Sequence, residues 1–422
     1  MRSVEPLADS GQVLYDSPDP QTVYPGSPGI WRTRSGRIVV TYDIRGGGAQ
    51  DLPGVKYEPR PGQAVFGNVL TSDDGGQTWT QRTQYPCLHA RPFEAGDALY
   101  VLGHAGDLAI IRSDDGGDTW STPSFLTNAE QWHQAPTNVW YANGCVYLVM
   151  EQRCHFRVKA WPVSELAPVL MRAPVNADLA DPAVWTYASK LSFVGAVKDA
   201  EVDWLGVPFY PAHYPDVYRP EHPGRGFAPI GWLETNVVRI DDPNHYWHDP
   251  SGRTFHLFAR AHTGRTNLAC VAKVVQRDDG SMDTMLETAP SGHTMLYIPF
   301  PGGQMKFHIL FDDGTQLFWL VSTQATDSMT RFEKLPHSRY RMADNERRRL
   351  VLHFSKNCVD WCFAGLICQG DADVESRHYA SMAIDGDDML VLSRSGDKRA
   401  KNPHDVNRIT LHRVRAFRGL VY

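Results

Sequence analysis

Ser72–Trp79 reads SDDGGQTW, and Ser113–Trp120 reads SDDGGDTW. A phrase of this length, written twice with a single exchange, constrains the fold more than any other feature of the 422-residue chain. Its frame is Ser-x-Asp-x-Gly-x-Thr-Trp. Asp and Gly suit a tight turn, because a short carboxylate accepts from nearby backbone N–H groups and glycine takes positive φ without steric cost. The tryptophan then enters the next strand as an anchor. A repeated hairpin turn implies a repeated supersecondary unit, and such units bury their faces by stacking on one another. Asp73, Asp74, Asp114 and Asp115 are therefore read as turn-forming.

Between and beyond these turns the chain is built of short β-type runs. GRIVVTYDI, ALYVLGH, LAIIRS, CVYLVME, TFHLFAR, QLFWLVS, RLVLHFS and DMLVLSRS all read as strands ended by Gly, Asp or Asn. The best helix candidate is PVSELAPVLMRA, residues 162–173. Evenly spaced strands with Gly- and aromatic-rich turns predict an all-β propeller of four-stranded blades. Blades begin near Gly29, Arg91, His133, Trp232, Gln304 and Arg377. The last is one strand short, and GQVLYDS near the N-terminus could supply it and close the ring. This reading favours six blades, with room for a seventh between Trp161 and Gly231, in one propeller domain over residues 1–422. The segment GVPFYPAHYPDVYRPEHPGRG, with Tyr210, Tyr214 and Tyr218, reads as a long ordered loop whose aromatics call for burial or a ligand, either a packing flap or a cover over one face of the propeller.

With 42% hydrophobic residues the chain can fill a large core. A net charge of −6 carries no nucleic-acid footprint. No apolar run reaches the roughly 18 residues of a membrane helix, and MRSVEPLADSGQ lacks the apolar core of a signal peptide. The expectation is no nucleic-acid or membrane partner, in a protein that is cytoplasmic or trimmed from a secreted or periplasmic form. Seven scattered cysteines read as small buried hydrophobes rather than a disulfide framework.

The repeated frame is that of the Asp box, or BNR repeat, and the chain resembles the sialidase superfamily of β-propellers. FSKNCVDWCF, with Ser355, Asn357 and Trp361, looks like a degenerate third copy over 355–361, one residue shorter. The resemblance implies boxes on the rim, away from the active site. It also implies an arginine triad holding a carboxylate, a Tyr–Glu nucleophile pair and an Asp acid. The family's Arg-Ile-Pro motif falls on YPGSPGIWRTRSGRIVVTYD, where Pro28 is kept but Gly26 and Ser27 precede it. Arg45, Arg260 and Arg394 resemble family arginines, and Tyr379 with Glu234 resembles the nucleophile pair.

In a propeller the first strand of each blade starts at the axis and the second returns to the same face, so these strand ends converge on one funnel. They give His89, Arg91 and His104 in the second blade, and His133, Glu151 and Arg153 in the third. The fourth gives Glu234, Asn236, Arg260 and His262, and the fifth Gln304, Lys306 and Gln324. The sixth gives Arg377, His378, Tyr379 and Arg394. Polar groups at the ends of apolar strands are costly unless paired, and a surplus of Arg suits an acidic oligosaccharide or polysaccharide.

The funnel set also resembles that of propeller uronate lyases and related rhamnosidases, which use histidines. β-Elimination requires a group to neutralise the uronate carboxylate, a base of pKa near 7 and an acid for the leaving oxygen. His104 is the expected base, Arg153 or Arg260 the neutraliser, and His133 or Tyr379 the acid. His89, Arg91, Glu151, Glu234, Arg377 and Arg394 complete the binding set. The alternatives are a sialidase-like exo-glycoside hydrolase, for which Glu151 and Glu234 are the funnel carboxylates, and a non-catalytic glycan-binding propeller. No catalytic metal or cofactor is expected; His245, His248 and Asp249 have a spacing that could hold a structural ion.

Overall fold

Ile38–Arg45 has the sequence IVVTYDIR and is buried on both faces up to Ile44. A strand with one wet face alternates buried and exposed; a strand sandwiched between two sheets does not. The computed structural model, which describes residues 4–8, 11–59, 61–158, 161–197, 202–203, 231–328, 330–339 and 342–422, shows the sandwiching directly. Ile38, Val40, Tyr42 and Ile44 pack with Leu390, Leu392, Ile409 and Leu411 of the last sheet. Val39, between them, packs with Leu99, Val101 and Ile111 of the next sheet. The pattern repeats around the ring. Tyr100 and Leu102 meet Leu148 and Met150, Tyr147 and Val149 meet Phe255 and Leu257, Phe258 and Val271 meet Phe318 and Leu320, and Trp319 and Val321 meet Met389 and Val391.

The sheets are six antiparallel blades. Blade 1 runs through Gly29–Arg32, Ile38–Arg45, Phe66–Ser72 and Thr80–Tyr85. Blade 2 is Leu88–Ala95, Ala98–Ala105, Asp107–Ser113 and Ser124–Phe125. Blade 3 is built on Trp132–His133, Cys145–Arg153, Leu166–Pro174 and Thr186–Tyr187. Blade 4 is Gly231–Val238, Thr254–His262, Leu268–Gln276 and Met282–Met285. Blade 5 is His308–Asp312, Leu317–Gln324, Arg349–Ser355 and Cys362–Gln369. Blade 6 is Arg377–Asp385, Asp388–Ser395 and Arg408–Val414, and its outer strand is the N-terminal Gln12–Asp16, which closes the ring.

Two sequence expectations change. The stretch between Trp161 and Gly231 forms no seventh blade among the described residues: it supplies the outer half of blade 3 and one edge of a small three-stranded ribbon. The helix candidate at 162–173 is a strand, Leu166–Pro174, after a single turn at Val163–Glu165. Pro168 would break a helix interior, and burial of both strand faces outweighs local propensity. The tyrosine-rich segment at 206–226 lies outside the described residues.

The repeated octapeptides fold alike. Ser72 Oγ donates to Asp74 Oδ1 at 2.8 Å and accepts from Gly76 N–H at 2.8 Å, while Thr78 Oγ1 donates to Asp74 Oδ2 at 2.6 Å. The corresponding bonds of Ser113, Asp115, Gly117 and Thr119 are 2.8, 2.8 and 2.6 Å. In the shorter stretch, Asn357 takes the place of Asp and accepts from the N–H groups of Val359 and Asp360. All seven cysteines are free thiols, four of them buried, and no described helix is long and apolar enough to cross a membrane.

A candidate active site at the propeller axis

Three inner strands carry the same irregularity at their funnel ends. Pairing slips between Leu88 and Arg91, between Leu233 and Asn236, and between His378 and Ser381. Within each slip one residue has left-handed backbone: His89 at φ 53°, Glu234 at 59° and Tyr379 at 53°. None is glycine, so each costs of order 1 kcal/mol or more. A bulge bends its strand and re-aims a side chain. Blades 2, 4 and 6 thus each turn one chemical group toward the axis.

Two of these groups meet through one guanidinium. Arg260 Nη1 donates to Tyr379 Oη at 2.8 Å and lies 3.2 Å from Glu234 Oε2. The Arg394 guanidinium stands 4.9 Å from the Tyr379 ring centroid and that of Arg347 5.9 Å. All five side chains are buried. Burial, with Glu234 next, pushes the Tyr379 phenol above its ordinary value. Burial lowers Arg347 to about 10 and, with Arg45 nearby, Arg394 to about 9. Burial also acts against Arg260, but Tyr379, Glu234 and Asp344 outweigh it and hold Arg260 above its usual range.

Beside this cluster lie three imidazoles. One nitrogen from each of His89, His104 and His133 falls within 4.8 Å of the others. Burial holds His104 at about 4 and His133 at about 3, and His89 well below the ordinary histidine value, so all three are neutral near pH 7. Asp43 accepts from the His89 backbone N–H at 3.1 Å. Its carboxyl is fully enclosed, and burial raises it to about 6 against the pull of Arg45 and Arg394.

The funnel has a floor. Lys306 Nζ donates to Ala380 O and to Ser381 Oγ at 2.8 Å, and Ser381 Oγ donates in turn to Pro28 O and Pro136 O. A separate cavity of about 180 Å³ lies farther along the same inner strands, lined by Trp31, Arg91, Trp140 and His308 among others. It does not reach Tyr379 or the imidazoles.

No family model and no curated protein matches this sequence. Among solved structures, Trypanosoma rangeli sialidase in complex with sialic acid is similar over 100% of this chain and 61% of its own, at 13% identity and a TM-score of 0.52. A leech intramolecular trans-sialidase is similar over 96% of this chain and 70% of its own, at 11% identity and TM-score 0.50. A protein of unknown function from Dyadobacter fermentans is similar over 96% and 99%, at 12% identity and TM-score 0.50. The fold is a six-bladed β-propeller, as in these structures.

The departure from the motif at Gly26 has a steric counterpart. A Cβ on Gly26 would lie 1.7 Å from Asp43 Oδ2. The space that a side chain at the motif position would enter is occupied by the Asp43 carboxylate.

Several sequence-predicted site residues do not join the cluster. Arg91 spans blades 2 and 3, donating to Asn138 O at 3.0 Å and Val149 O at 2.7 Å. Arg153, expected to neutralise a uronate, is committed to Glu165 at 2.7 Å and to the carbonyls of His155 and Val158. Arg377 is spent on the carbonyls of Glu375, Ser376 and Gly396. Glu151 is buried and accepts from Thr235 N–H at 2.9 Å. Asn236 and Gln304 bridge backbone groups of blades 4 and 5. His245, His248 and Asp249 form no ion site: His245 and His248 bond backbone at Asn357, Trp247 and Ile240, and Asp249 caps a turn through Ser251 and Thr254.

Sequence reasoning missed Arg347, Asp43 and the pair His404–Asp405, joined at 2.8 Å. Arg347 precedes the third strand of blade 5, which starts on the same face as the funnel, one strand farther out, and only a long side chain reaches in. The polar run DNERRR before that strand was the available signal. Asp43 ends the second strand of blade 1 and obeys the rule that located His104 and Arg260.

Proposed function

We propose that this protein is a carbohydrate-active enzyme that cleaves the glycosidic bond of an acidic sugar hydrolytically, with Tyr379 as nucleophile. The reading rests on one observation: Arg260 Nη1 contacts both Tyr379 Oη and Glu234, with Arg347 and Arg394 against the tyrosine ring. Three guanidinium groups against the carboxylates of Glu234 and Asp344 leave the pocket cationic, suited to a sugar carboxylate. A phenol, uncharged until it reacts, can approach an anomeric carbon that carries a neighbouring carboxylate, where an Asp or Glu nucleophile would be repelled. Tyr379 Oη attacks that carbon and Glu234 receives the phenolic proton. Asp43, raised to about 6, gives its proton to the departing oxygen. Water then cleaves the tyrosyl–sugar bond, with Asp43 as base and the phenol reprotonated from Glu234.

Similarity of fold to sialidases supports a sugar ligand. The alternative, β-elimination at a uronate, would use His104 as base, Tyr379 as acid and Arg260 as neutraliser, but burial holds the His104 imidazole at about 4, below the value near 7 that suits the base. The two are separated with chromogenic glycosides of sialic and uronic acids and with oligouronates. Hydrolysis releases the aglycone and a saturated sugar, and a fluorinated acidic sugar labels Tyr379. Tyr379→Phe is expected to lower kcat/KM by roughly 10³-fold or more. An ultraviolet-absorbing unsaturated product, or full activity in Tyr379→Phe, overturns the proposal. Binding of glycans without turnover would mark a binding scaffold.

The pH profile carries its own expectation. The acid must hold its proton, so the rate falls as pH rises through about 6, the value set by the burial of Asp43. In Asp43→Asn that limb disappears, while substrates with a good leaving group retain most of their rate.

A further inference from the structure

The proposed hydrolysis leaves three imidazoles unused, His104 buried and His89 and His133 half-buried. We propose that His89, His104 and His133 form a binding site for a divalent transition-metal ion of the zinc type, with its fourth position open to the sugar funnel. The inference is independent of the role of Tyr379.

The geometry carries it. A tetrahedral ion with metal–nitrogen bonds of 2.0–2.1 Å holds its ligand nitrogens about 3.4 Å apart. His104 Nε2 and His89 Nδ1 are 3.4 Å apart. The third imidazole keeps its nitrogen within 4.8 Å of both, so closing the site needs a shift of about 1 Å, within reach of a χ rotation. His133 Nε2 is buried without a hydrogen-bonding partner among the described residues. An orphaned imidazole nitrogen beside two others is costly as it stands and is satisfied by a Lewis acid. The ligands are also held. His104 is hydrogen-bonded to the backbone of Gln134, the kind of outer contact that orients a metal-bound imidazole. His133 packs edge-on against Trp161 with ring centroids 5.0 Å apart. His89 is fixed by its bulge and by the Asp43 bond to its backbone N–H.

The donor set selects the ion. Three neutral imidazoles suit zinc, cobalt, nickel or copper and are poor ligands for calcium or magnesium. Three protein ligands with one free position is the pattern of a metal that takes up an exogenous oxygen. The dication adds positive charge to the funnel. A hydroxyl or carboxylate oxygen of a bound sugar is the ligand that the free position would accept, at the edge of Trp161.

The test is metal titration of the full-length protein after dialysis against a chelator. Cobalt is expected to bind one equivalent with the intense visible absorption of a four-coordinate site, and zinc to displace it. Zinc should also raise the Tm of the wild type. His133→Ala and His104→Gln are each expected to weaken cobalt binding at least 100-fold, whereas Tyr379→Phe leaves it unchanged. That last variant keeps this outcome apart from the fate of the hydrolytic proposal. Wild-type affinity weaker than about 1 mM, or equal affinity in wild type and folded His133→Ala, overturns the proposal.

Discussion

Glu151 shows how an expected ligand can be a structural group with a measurable signature. It is fully buried, accepts from Thr235 N–H, and has Oε2 without a partner among the described residues. Burial raises its carboxyl to about 7, against smaller opposing contributions from hydrogen bonds to Thr235. A carboxyl raised on folding contributes stability below its unfolded value, and that stability is lost as pH rises through the folded value. Glu151→Gln keeps an acceptor for Thr235 and removes the charge. The variant is expected to match the wild type near pH 4 and to exceed it at pH 8 by roughly 3 kcal/mol, as read by denaturant unfolding at each pH. Arg91, Arg153 and Arg377 teach the same lesson for cations: a guanidinium at a strand end is a ligand for substrate only if backbone carbonyls have not already claimed its N–H groups.

The turns and the bulges are the two recurring elements, and they divide the labour. The octapeptide turn is self-contained, since Ser72 and Asp74 satisfy its N–H groups locally. Ser72→Ala removes a buried hydroxyl that both donates and accepts, at a cost of about 1–2 kcal/mol. The expected outcome is a lower Tm with kcat/KM unchanged, because the turn lies at the far end of the strands from the funnel. The bulges do the opposite, accepting strain to aim His89, Glu234 and Tyr379. Their positive φ left no mark in the sequence, because none of the three is Gly, Asn or Asp. Leu166–Pro174 was misread for a related reason: a strand buried on both faces loses the alternation that would have announced it.

Closure of the ring depends on five residues from the other end of the chain. Gln12–Asp16 forms the outer strand of blade 6, and Asp16 anchors it by accepting from Arg399 at 2.6 Å and Arg408 at 3.0 Å. A chain beginning at residue 18 leaves Arg408–Val414 as an open edge and uncovers Leu411 and Ile409. Its Tm is expected to fall by roughly 10 °C or more, with aggregation on heating as the exposed edge pairs between molecules. A Tm within a degree of the full chain would show that the strand is decoration.

The order of residues was enough for the architecture. Repeated turns, evenly spaced strands and a missing last strand point to a propeller closed by the N-terminus, because those signals are local, and they favour six blades over seven. The same reading named Tyr379, Glu234, Arg260, Arg394 and the three histidines as funnel residues, since strand ends in a propeller must converge. Only the tertiary structure decided which of them meet. Contact between Arg260, Tyr379 and Glu234 joins blades 4 and 6, and the presence of Arg347 depends on the reach of a side chain from a third strand. The filling of the Gly26 space by Asp43 depends on two strands of blade 1 pressed together. These are distances between groups far apart in the chain, set by packing, and no local pattern of residue types encodes them.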